Sequence, residues 1–291
     1  MRTVQKEPTV QRDATGQREA TGQKKLPVGR LLRDWRTRAG LSQLELALRA
    51  DSSARHISFI ETGRSRPSPE MVLKLAERLD VPVRERNTLL VSAGYAPRYA
   101  ETSLTDPAMS AVREGLERMV AAYEPFPALV MDGTYHVIAA NRGIALLLDG
   151  VSPHLLEPPL NAMRITLHPE GLAPRIRNFR EWRGHLLEQM SRQLALVRSA
   201  PLRALYEEVA AYPFPGSSAE PVLPPQSAES DSPWMCFALP MVIEHEGRVL
   251  SFFSTIATFN TPMDVTVSEL AVETFLPADP ETAENLQLLV P

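Results

Sequence analysis

The sequence predicts an all-α domain of five helices followed by an α+β domain with an antiparallel sheet. Between residues 26 and 95, apolar residues recur at helical spacing in five short stretches separated by turn and capping residues. Further along the chain, short apolar runs flank the dipeptides Asp132-Gly133 and Glu246-Gly247. Two such runs around a Gly-bearing turn are typical of a β-hairpin. We therefore expect an N-terminal domain made only of helices, followed by a domain that contains both helices and strands.

The five helices each carry a start signal, a stop signal or an apolar stripe. Ser42 and Glu45 fit a capping box for the second helix, and Ser68 followed by Pro69 starts the fourth. Gly40 ends the first helix and Gly94 ends the fifth, which covers about 83–93. The stripes are Leu31, Leu32 and Trp35 in the first helix, Leu44, Leu46 and Ala47 in the second, Ile57 and Ile60 in the third (53–62), and Met71, Val72, Leu75, Ala76 and Leu79 in the fourth.

The second domain mixes predicted helices and strands. The predicted elements are a helix at 108–123, a hairpin at 128–140, a helix at 141–149, an Arg-rich helix at 175–199, a helix at 202–211, a Pro/Ser-rich loop at 213–233, a hairpin of strands at 234–243 and 248–259, and a last strand at 266–275. The predicted domain boundaries are a disordered basic tail at 1–25, the all-α domain at 26–96, a linker at 97–107, the α+β domain at 108–280 and a C-terminal tail at 281–291.

The charge of the chain is divided unevenly between these parts. The whole chain has a net charge of -4, but residues 1–25 carry +3, residues 26–100 carry +5 and residues 101–291 carry -12. Such an asymmetry is typical of a nucleic-acid-facing part joined to something else. Residues 1–25 contain too few apolar residues for burial to offset the entropy lost on ordering, so we expect a disordered tail. The alternative is that this segment is a basic arm that contacts DNA phosphates.

Several function classes find no support in the composition. There is no membrane-length apolar stretch and no secretory signal, and the single Cys236 excludes an internal disulfide, so a cytoplasmic location is expected. Cys236 lies in an apolar run and is expected to be a buried, inert thiol. No phosphate loop, HExxH motif or paired nucleophile and base is present. We therefore expect no enzyme activity, no metal and no cofactor, although His136, His154, His168 and His185 are available as ligands.

The stretch LSQLELALRADSSARHISFIETGRSRP, residues 41–67, resembles the helix-turn-helix of the Cro/C1 repressor class, the XRE family. The resemblance implies a sequence-specific DNA-binding regulator that acts as a homodimer on a double-stranded operator. In two positions the sequence departs from the family, with Asp51 where Gly is usual and Ser52 where an apolar residue is common. Asp tolerates the left-handed conformation better than most residues, so the turn is expected to form.

The third helix is suited to the major groove, whose base edges one helix can reach. Arg55 is expected to make a bidentate contact to guanine. By resemblance Gln43 contacts a phosphate, and Arg64 and Arg66 are expected on the DNA backbone. The predicted base-reading residues are Ser53, Ala54, Arg55, His56, Ser58 and Phe59. The His56 side chain could alternatively be solvated or face a phosphate. For the all-α domain as a whole, the alternative is that it binds only protein.

The remainder resembles XRE regulators that carry an MmyB-like ligand-binding domain with a PAS-like fold. The matching pieces are the hairpin at Asp132-Gly133, Asn141, LHPEGL (167–172), FFSTIATFNTPMDVT (252–266) and FLPAD (275–279). The resemblance implies a small, apolar ligand such as an acyl chain or secondary metabolite, held in an apolar cavity. Candidate lining residues, each of which is alternatively plain core, are Val130, Ile138, Trp182, Phe237, Phe252 and Phe253.

Two alternatives stay open. The chain can be a non-catalytic protein-interaction or antitoxin-like module without a small-molecule ligand. The Arg-rich helix, with Arg175, Arg177, Arg180, Arg183, Arg192 and Arg198, is either a solvated face pairing with Glu181 and Glu188 or a dimer surface or second phosphate contact.

Overall fold

The computed structural model describes residues 27–197, 199–215 and 238–290. Outside these ranges lie the predicted tail at 1–25, Arg198, Cys236 and the candidate cavity residue Phe237. The predicted all-α domain is present, and we call it the head. Its helices are Val28–Arg38 (α1), Gln43–Arg49 (α2), Ala54–Glu61 (α3), Pro69–Arg78 (α4) and Val83–Ser92 (α5).

Local capping fixes where the head helices begin. The Ser42 hydroxyl accepts a hydrogen bond from the Glu45 backbone N–H, and the Glu45 carboxylate accepts one from the Ser42 N–H. This reciprocal arrangement is the predicted capping box. At α3 and α4 the hydroxyls of Ser53 and Ser68 each accept from the backbone N–H three residues later. Asp51 has φ of 43°, so the turn before α3 forms in the left-handed conformation expected of Asp at this position.

The head core is formed where α1 crosses α3. Leu32 of α1 and Ile57 and Ile60 of α3 are each 1% exposed. The two helices approach so closely that a Cβ at Gly29 would clash with the Ile60 carbonyl oxygen and lie 2.9 Å from that of Glu61. Glycine is therefore required at this crossing, and the packing fixes the direction in which α3 presents its outer face.

The second domain, which we call the body, is built on one antiparallel sheet. Its strands are Ala128–Met131 (β1), Val137–Ala140 (β2), Met241–His245 (β3), Arg248–Thr258 (β4) and Ala271–Pro277 (β5). They are ordered β2-β1-β5-β4-β3, with every neighbouring pair antiparallel. The predicted α+β class with an antiparallel sheet is thus confirmed. The body helices are Ser110–Ala121 (α6), Arg142–Leu147 (α7), Ala162–Leu167 (α8), Phe179–Leu196 (α9), Ala200–Ala210 (α10), Val265–Ser268 (α11) and Pro280–Leu289 (α12).

The two faces of the sheet pack against different helices. Because side chains alternate along a strand, Leu129 and Val130 point to opposite faces. Leu129 belongs to the main body core together with Trp182 of α9, whereas Val130 belongs to a smaller cluster with Val120 of α6. We call these the inner and the outer face. None of the helices in the described ranges is both long and apolar enough to cross a membrane.

Three predicted strands or helices of the body had wrong limits. The Arg-rich helix begins only at Phe179, because a short 3-10 turn at Ala173–Arg175 ends at Ile176, which is extended and forms a β-bridge to Ile243. Strand β3 begins at Met241, not at 234. The predicted strand at 266–275 is partly helical, since the Asp264 side chain accepts from the Thr266 N–H and starts the short helix α11.

The C-terminal tail predicted at 281–291 is wrong. Residues Pro280–Leu289 form α12, which begins with an Asp279 cap and Pro280 at its first turn. Leu286 of this helix is fully buried in the main core, and the Thr282 hydroxyl accepts from the Ser251 N–H of β4. The helix therefore completes the domain, which extends beyond residue 280.

Candidate DNA interface and ligand cavity

The outer face of α3 presents the predicted base-reading residues. Ile57 and Ile60 point inward, which turns Arg55, His56, Ser58 and Phe59 outward, with Ser53 at the helix start. Arg55 is exposed, whereas Ala54 packs in part against the head core and contributes less to the outer face. The arrangement leaves α3 free for a groove.

Two guanidinium groups on this surface lie over the aromatic ring of Phe59. The Arg55 guanidinium lies 5.2 Å from the ring centroid, and that of Arg64 lies 6.0 Å from it. Stacking on an aromatic face restricts the conformations of a long side chain and leaves its N–H groups at the edge. Phe59 thus positions both arginines, a role that spacing alone did not predict.

Gln43 and Arg66, both expected on phosphates, also bind within the head. Gln43 Nε2 donates to Glu61 Oε2 at 2.8 Å, which uses one of its two amide hydrogens. Arg66 Nε donates to the Ala93 carbonyl at 3.0 Å, and its guanidinium stacks on Tyr95. Both phosphate contacts remain predictions, and Arg66 has the fewer donors left for DNA.

A buried ion pair holds α1 against α3. Arg36 donates to both carboxylate oxygens of Glu61 at 2.6 and 2.9 Å, and the Glu61 side chain is only 3% exposed. Burial alone would raise the pKa of Glu61, but the hydrogen bonds from Arg36 and Gln43 outweigh it, so its pKa lies below the usual range. The sequence pattern gave no signal for this pair, because its members are separated by a whole helix-turn unit.

The sheet places the predicted cavity residues in different environments. Val130 and Ile138 lie on the outer face against α6, so they do not line a cavity on the inner face. Phe252 is on the inner face but is fully buried against Phe275. Phe253 follows it on β4 and therefore points to the opposite face. Of the six predicted residues only Trp182 lines the enclosed cavity among the described residues. The sequence did not show which face of the sheet would be covered by the helices that form the cavity, so it could not show which strand residues point toward that cavity.

The enclosed cavity lies between the inner face of the sheet and the helices α7, α8 and α9. Its volume is about 90 Å³. Most lining residues are apolar: Leu129, Val137, Ala140, Ile144, Leu147, Leu148, Leu160, Ala162, Met163, Ile165, Leu172, Leu186, Met241 and Phe275. The lining residues with polar groups in their side chains are Thr166, Trp182 and Glu273. Mainly apolar walls with few polar groups are typical of small-molecule sites.

Two families match this chain. The MmyB-like transcription regulator ligand binding domain matches residues 112–289, and the helix-turn-helix matches residues 32–86. The chain belongs to the MmyB-like regulators. A comparison with curated proteins finds no match. This MmyB-like regulator is accordingly a DNA-binding transcription regulator, with the helix-turn-helix in the head and a ligand-binding domain in the body. Both families are of the regulator type, and neither carries a catalytic activity in its description.

Head and body of the MmyB-like regulator are joined by an ionic contact, which we call the latch. Arg84 of α5 donates to both carboxylate oxygens of Glu269 at 2.6 and 2.9 Å, and to Glu101 at 2.7 Å. These bonds raise the pKa of Arg84. Next to the latch, Thr102 donates through its N–H and its hydroxyl to Asp264. The predicted linker is therefore bound to the body rather than free.

An open cleft of about 1370 Å³ lies between head and body. Its walls include Arg84 and Tyr99 on one side and Tyr135, Ile256 and Glu269 on the other. Ile256 is 43% exposed although it lies on the inner face, directly opposite Glu273. Ile256 of the cleft and Glu273 of the cavity are therefore paired neighbours on the inner face of the sheet.

The arginines of the predicted Arg-rich helix are used within the body. Arg183 donates to the Ala210 carbonyl, and Arg180 stacks on Phe214 at 5.1 Å. The remaining described partners are the Leu147 carbonyl for Arg175, Glu244 for Arg177 and Glu188 for Arg192. This pattern favours the solvated or internally paired face over a second phosphate contact, although Glu181 forms none of the ion pairs found among the described residues.

A cluster of possible metal ligands lies at one edge of the sheet. Ligand atoms of Asp149, His245 and Glu246 lie within 4.8 Å of one another. Arg175 is close enough to Asp149 to interact electrostatically, which disfavours a cation there. Sequence spacing did not reveal this cluster, because the hairpin β3–β4 and the end of α7 are distant in the chain.

Proposed function

We propose that the head recognises a specific operator sequence with α3 in the major groove, as a homodimer on two half-sites about 34 Å apart. The observation that carries this proposal is the outward, exposed Arg55, supported by the Phe59 ring. Arg55 reads guanine, while Gln43, Arg64 and Arg66 contact phosphates and set the orientation. Helix α1, held by the Arg36–Glu61 pair, keeps α3 at a fixed angle.

The body, in this proposal, senses a small and largely apolar molecule in the enclosed cavity. The cavity is the better candidate than the cleft, because its walls are mostly apolar, whereas the cleft is also lined by many polar and charged side chains. An apolar ligand gains free energy when its surface is removed from water, at roughly 25 cal/mol per Å². The wide cleft leaves such a surface in contact with solvent and serves as the route of entry.

The signal passes from the cavity to the head along β5. Glu273 of this strand lines the cavity, and Glu269, four residues earlier, binds Arg84 of the head. A ligand that displaces β5 changes the latch geometry and with it the placement of α5. The size of this effect is limited by the difference in ligand affinity between the two arrangements.

The latch can be tested without knowing the ligand. In the Glu269→Gln variant we expect a change in operator affinity of about 2- to 5-fold, since partly exposed ion pairs contribute about 0–1 kcal/mol. The matched control is Glu244→Gln, which breaks the comparably exposed Arg177–Glu244 pair inside the body. Equal operator affinities of both variants and the wild type, measured by fluorescence anisotropy, contradict coupling through the latch.

DNase I footprinting separates this function from the protein-interaction or antitoxin-like alternative. A defined protected site in promoter DNA supports the regulator with a specific operator. Uniform protection, or none, at protein concentrations that bind a partner protein supports the alternative.

A further inference from the structure

Two buried residues that line the enclosed cavity have hydrogen-bonding capacity that the described part of the chain does not fully use. The indole Nε1 of Trp182 has no hydrogen-bond partner among the described residues, and this side chain is 2% exposed. An unpaired buried donor is uncommon and costs free energy unless something satisfies it. Since Trp182 lines the cavity, a molecule inside the cavity is the available acceptor.

Glu273 supplies the second group. Its residue is 8% exposed on the inner face of β5, between Leu129 and Ile256 on the neighbouring strands. Within the described part of the chain its carboxyl accepts one hydrogen bond, from the Ser254 hydroxyl to Oε1. Burial raises the pKa of Glu273, as expected for a carboxyl with no cationic partner. Oε2 remains for a donor in the cavity.

We propose that Trp182 and Glu273 select a small neutral molecule with an apolar body and a hydroxyl group, such as a phenol or an alcohol. A hydroxyl both accepts and donates, so it can satisfy the indole N–H and the carboxyl together. An ammonium group has donors only and leaves the indole unpaired. A carboxylate brings a negative charge into an apolar cavity whose described lining has no cationic side chain, which costs free energy. This inference deepens the proposed ligand-sensing function and rests on it.

The size of the cavity limits the apolar body. About 90 Å³ is well below the roughly 300 Å³ at which pockets for drug-sized ligands begin. An engineered apolar cavity of roughly 150 Å³ holds benzene, so a single ring requires only a modest outward movement of the walls. A longer molecule extends past Glu273 toward Ile256 and the cleft, where the inner face is exposed.

Four probes of similar shape test this selection by titration calorimetry on the full chain: phenol, toluene, benzoate and benzylamine. We expect phenol to bind about 10-fold more tightly than each of the others, which equals about 1.4 kcal/mol. The Glu273→Gln variant keeps an acceptor for Ser254 and adds amide N–H donors that a carboxylate can use, so the preference for phenol over benzoate should fall about 10-fold. Trp182→Phe should weaken phenol binding and leave toluene binding unchanged.

Matched controls are Glu244→Gln on β3 and Trp35→Phe in the head, both away from the cavity lining. Unchanged toluene affinity in the cavity variants shows that the cavity is intact. Equal affinities for the four probes, tighter binding of benzylamine or benzoate, no binding of phenol, or an unchanged probe ratio in Glu273→Gln overturns the proposal. Operator affinity measured with and without phenol is independent: if phenol binds as expected but operator affinity does not change, the selection stands and the coupling to DNA fails.

Discussion

The proposed functional residues lie on the surface of the head but in the interior of the body. In the head, the side chains proposed to contact DNA are those that α3 leaves outside its core, such as Arg55 and Phe59. In the body, the groups proposed for the ligand, Trp182 and Glu273, lie inside the main core. The DNA-binding surface consists of residues that the packing of α3 leaves exposed, whereas the cavity consists of residues on the face of the sheet that helices cover. A substitution at the surface can therefore change binding alone, whereas one in the cavity changes both binding and packing.

The two regions also differ in charge. The net charge of +5 over residues 26–100 favours a polyanion, and -12 over residues 101–291 opposes one. We therefore expect DNA to repel the body, so that the body faces away from the duplex and lowers the non-specific affinity for DNA. More of the discrimination between DNA sequences is then left to α3.

Gly29→Ala, compared with Gly115→Ala, should give the largest difference in stability between head and body. The new Cβ clashes with backbone carbonyls of α3 that cannot move independently, so we expect the head to lose about 3 kcal/mol of stability. The control Gly115→Ala in α6 meets nothing within 4 Å and should stabilise the body by about 0.5–1 kcal/mol. Hydrogen exchange of α3 and α6 amides measures both effects, and an unchanged α3 refutes the tight crossing.

Arg55→Ala tests the outward face. We expect a loss of about 1–3 kcal/mol of discrimination between operator and scrambled DNA, because the bidentate base contact is removed. The measurement is competitive anisotropy with both DNAs. Wild-type discrimination in this variant would exclude a base-reading role for Arg55.

Arg64→Ala provides the contrasting change on the same surface. Its effect should be similar on all sequences, with a salt slope reduced by about one unit, because a phosphate contact carries no direct sequence information. A loss confined to the operator would instead assign base reading to Arg64.

Opposite pH dependences are expected for the two buried glutamates. The pKa of Glu61 is lowered in the folded head, so its contribution is present above the unfolded carboxyl pKa and is lost as pH falls through the folded value. The pKa of Glu273 is raised, so stability is present below the unfolded pKa and is lost as pH rises through the folded value. Relative to the wild type, Glu61→Gln should therefore be most destabilising near neutral pH.

Glu273→Gln should gain relative stability as pH rises above about 4.3, the ordinary Glu pKa. Both differences in stability can be followed by hydrogen exchange in the same head and body segments. Parallel pH profiles of the two variants would contradict the assigned environments.

The sequence predicted the head closely because its determinants are local. Ser42, Ser53 and Ser68 cap helices through residues three positions away, and Asp51 provides its own turn conformation. Contacts across the domain were not accessible in this way. The Arg36–Glu61 pair depends on how α1 crosses α3, which no short-range pattern specifies.

In the body the fold class was predicted, but the faces of its strands were not. Val130 and Leu129 are adjacent and both apolar, and only the position of α9 decides which one faces the main core. Register between β1 and β2 shifts at Val130/Met131, which further disturbs a simple alternation. Glu273 was overlooked because a charged residue in a strand is ordinarily assigned to a solvated face. Its buried position follows from pairing with β1 and β4 on both sides.

Selection of bound DNA from a random library by the purified full chain tests the central claim most directly. We expect an enriched motif of two inverted half-sites with centres about 10 base pairs apart. The same selection with Arg55→Ala should lose the guanine at one position of each half-site while keeping the spacing. A library that remains random with the wild type, or an identical motif with Arg55→Ala, would contradict the account.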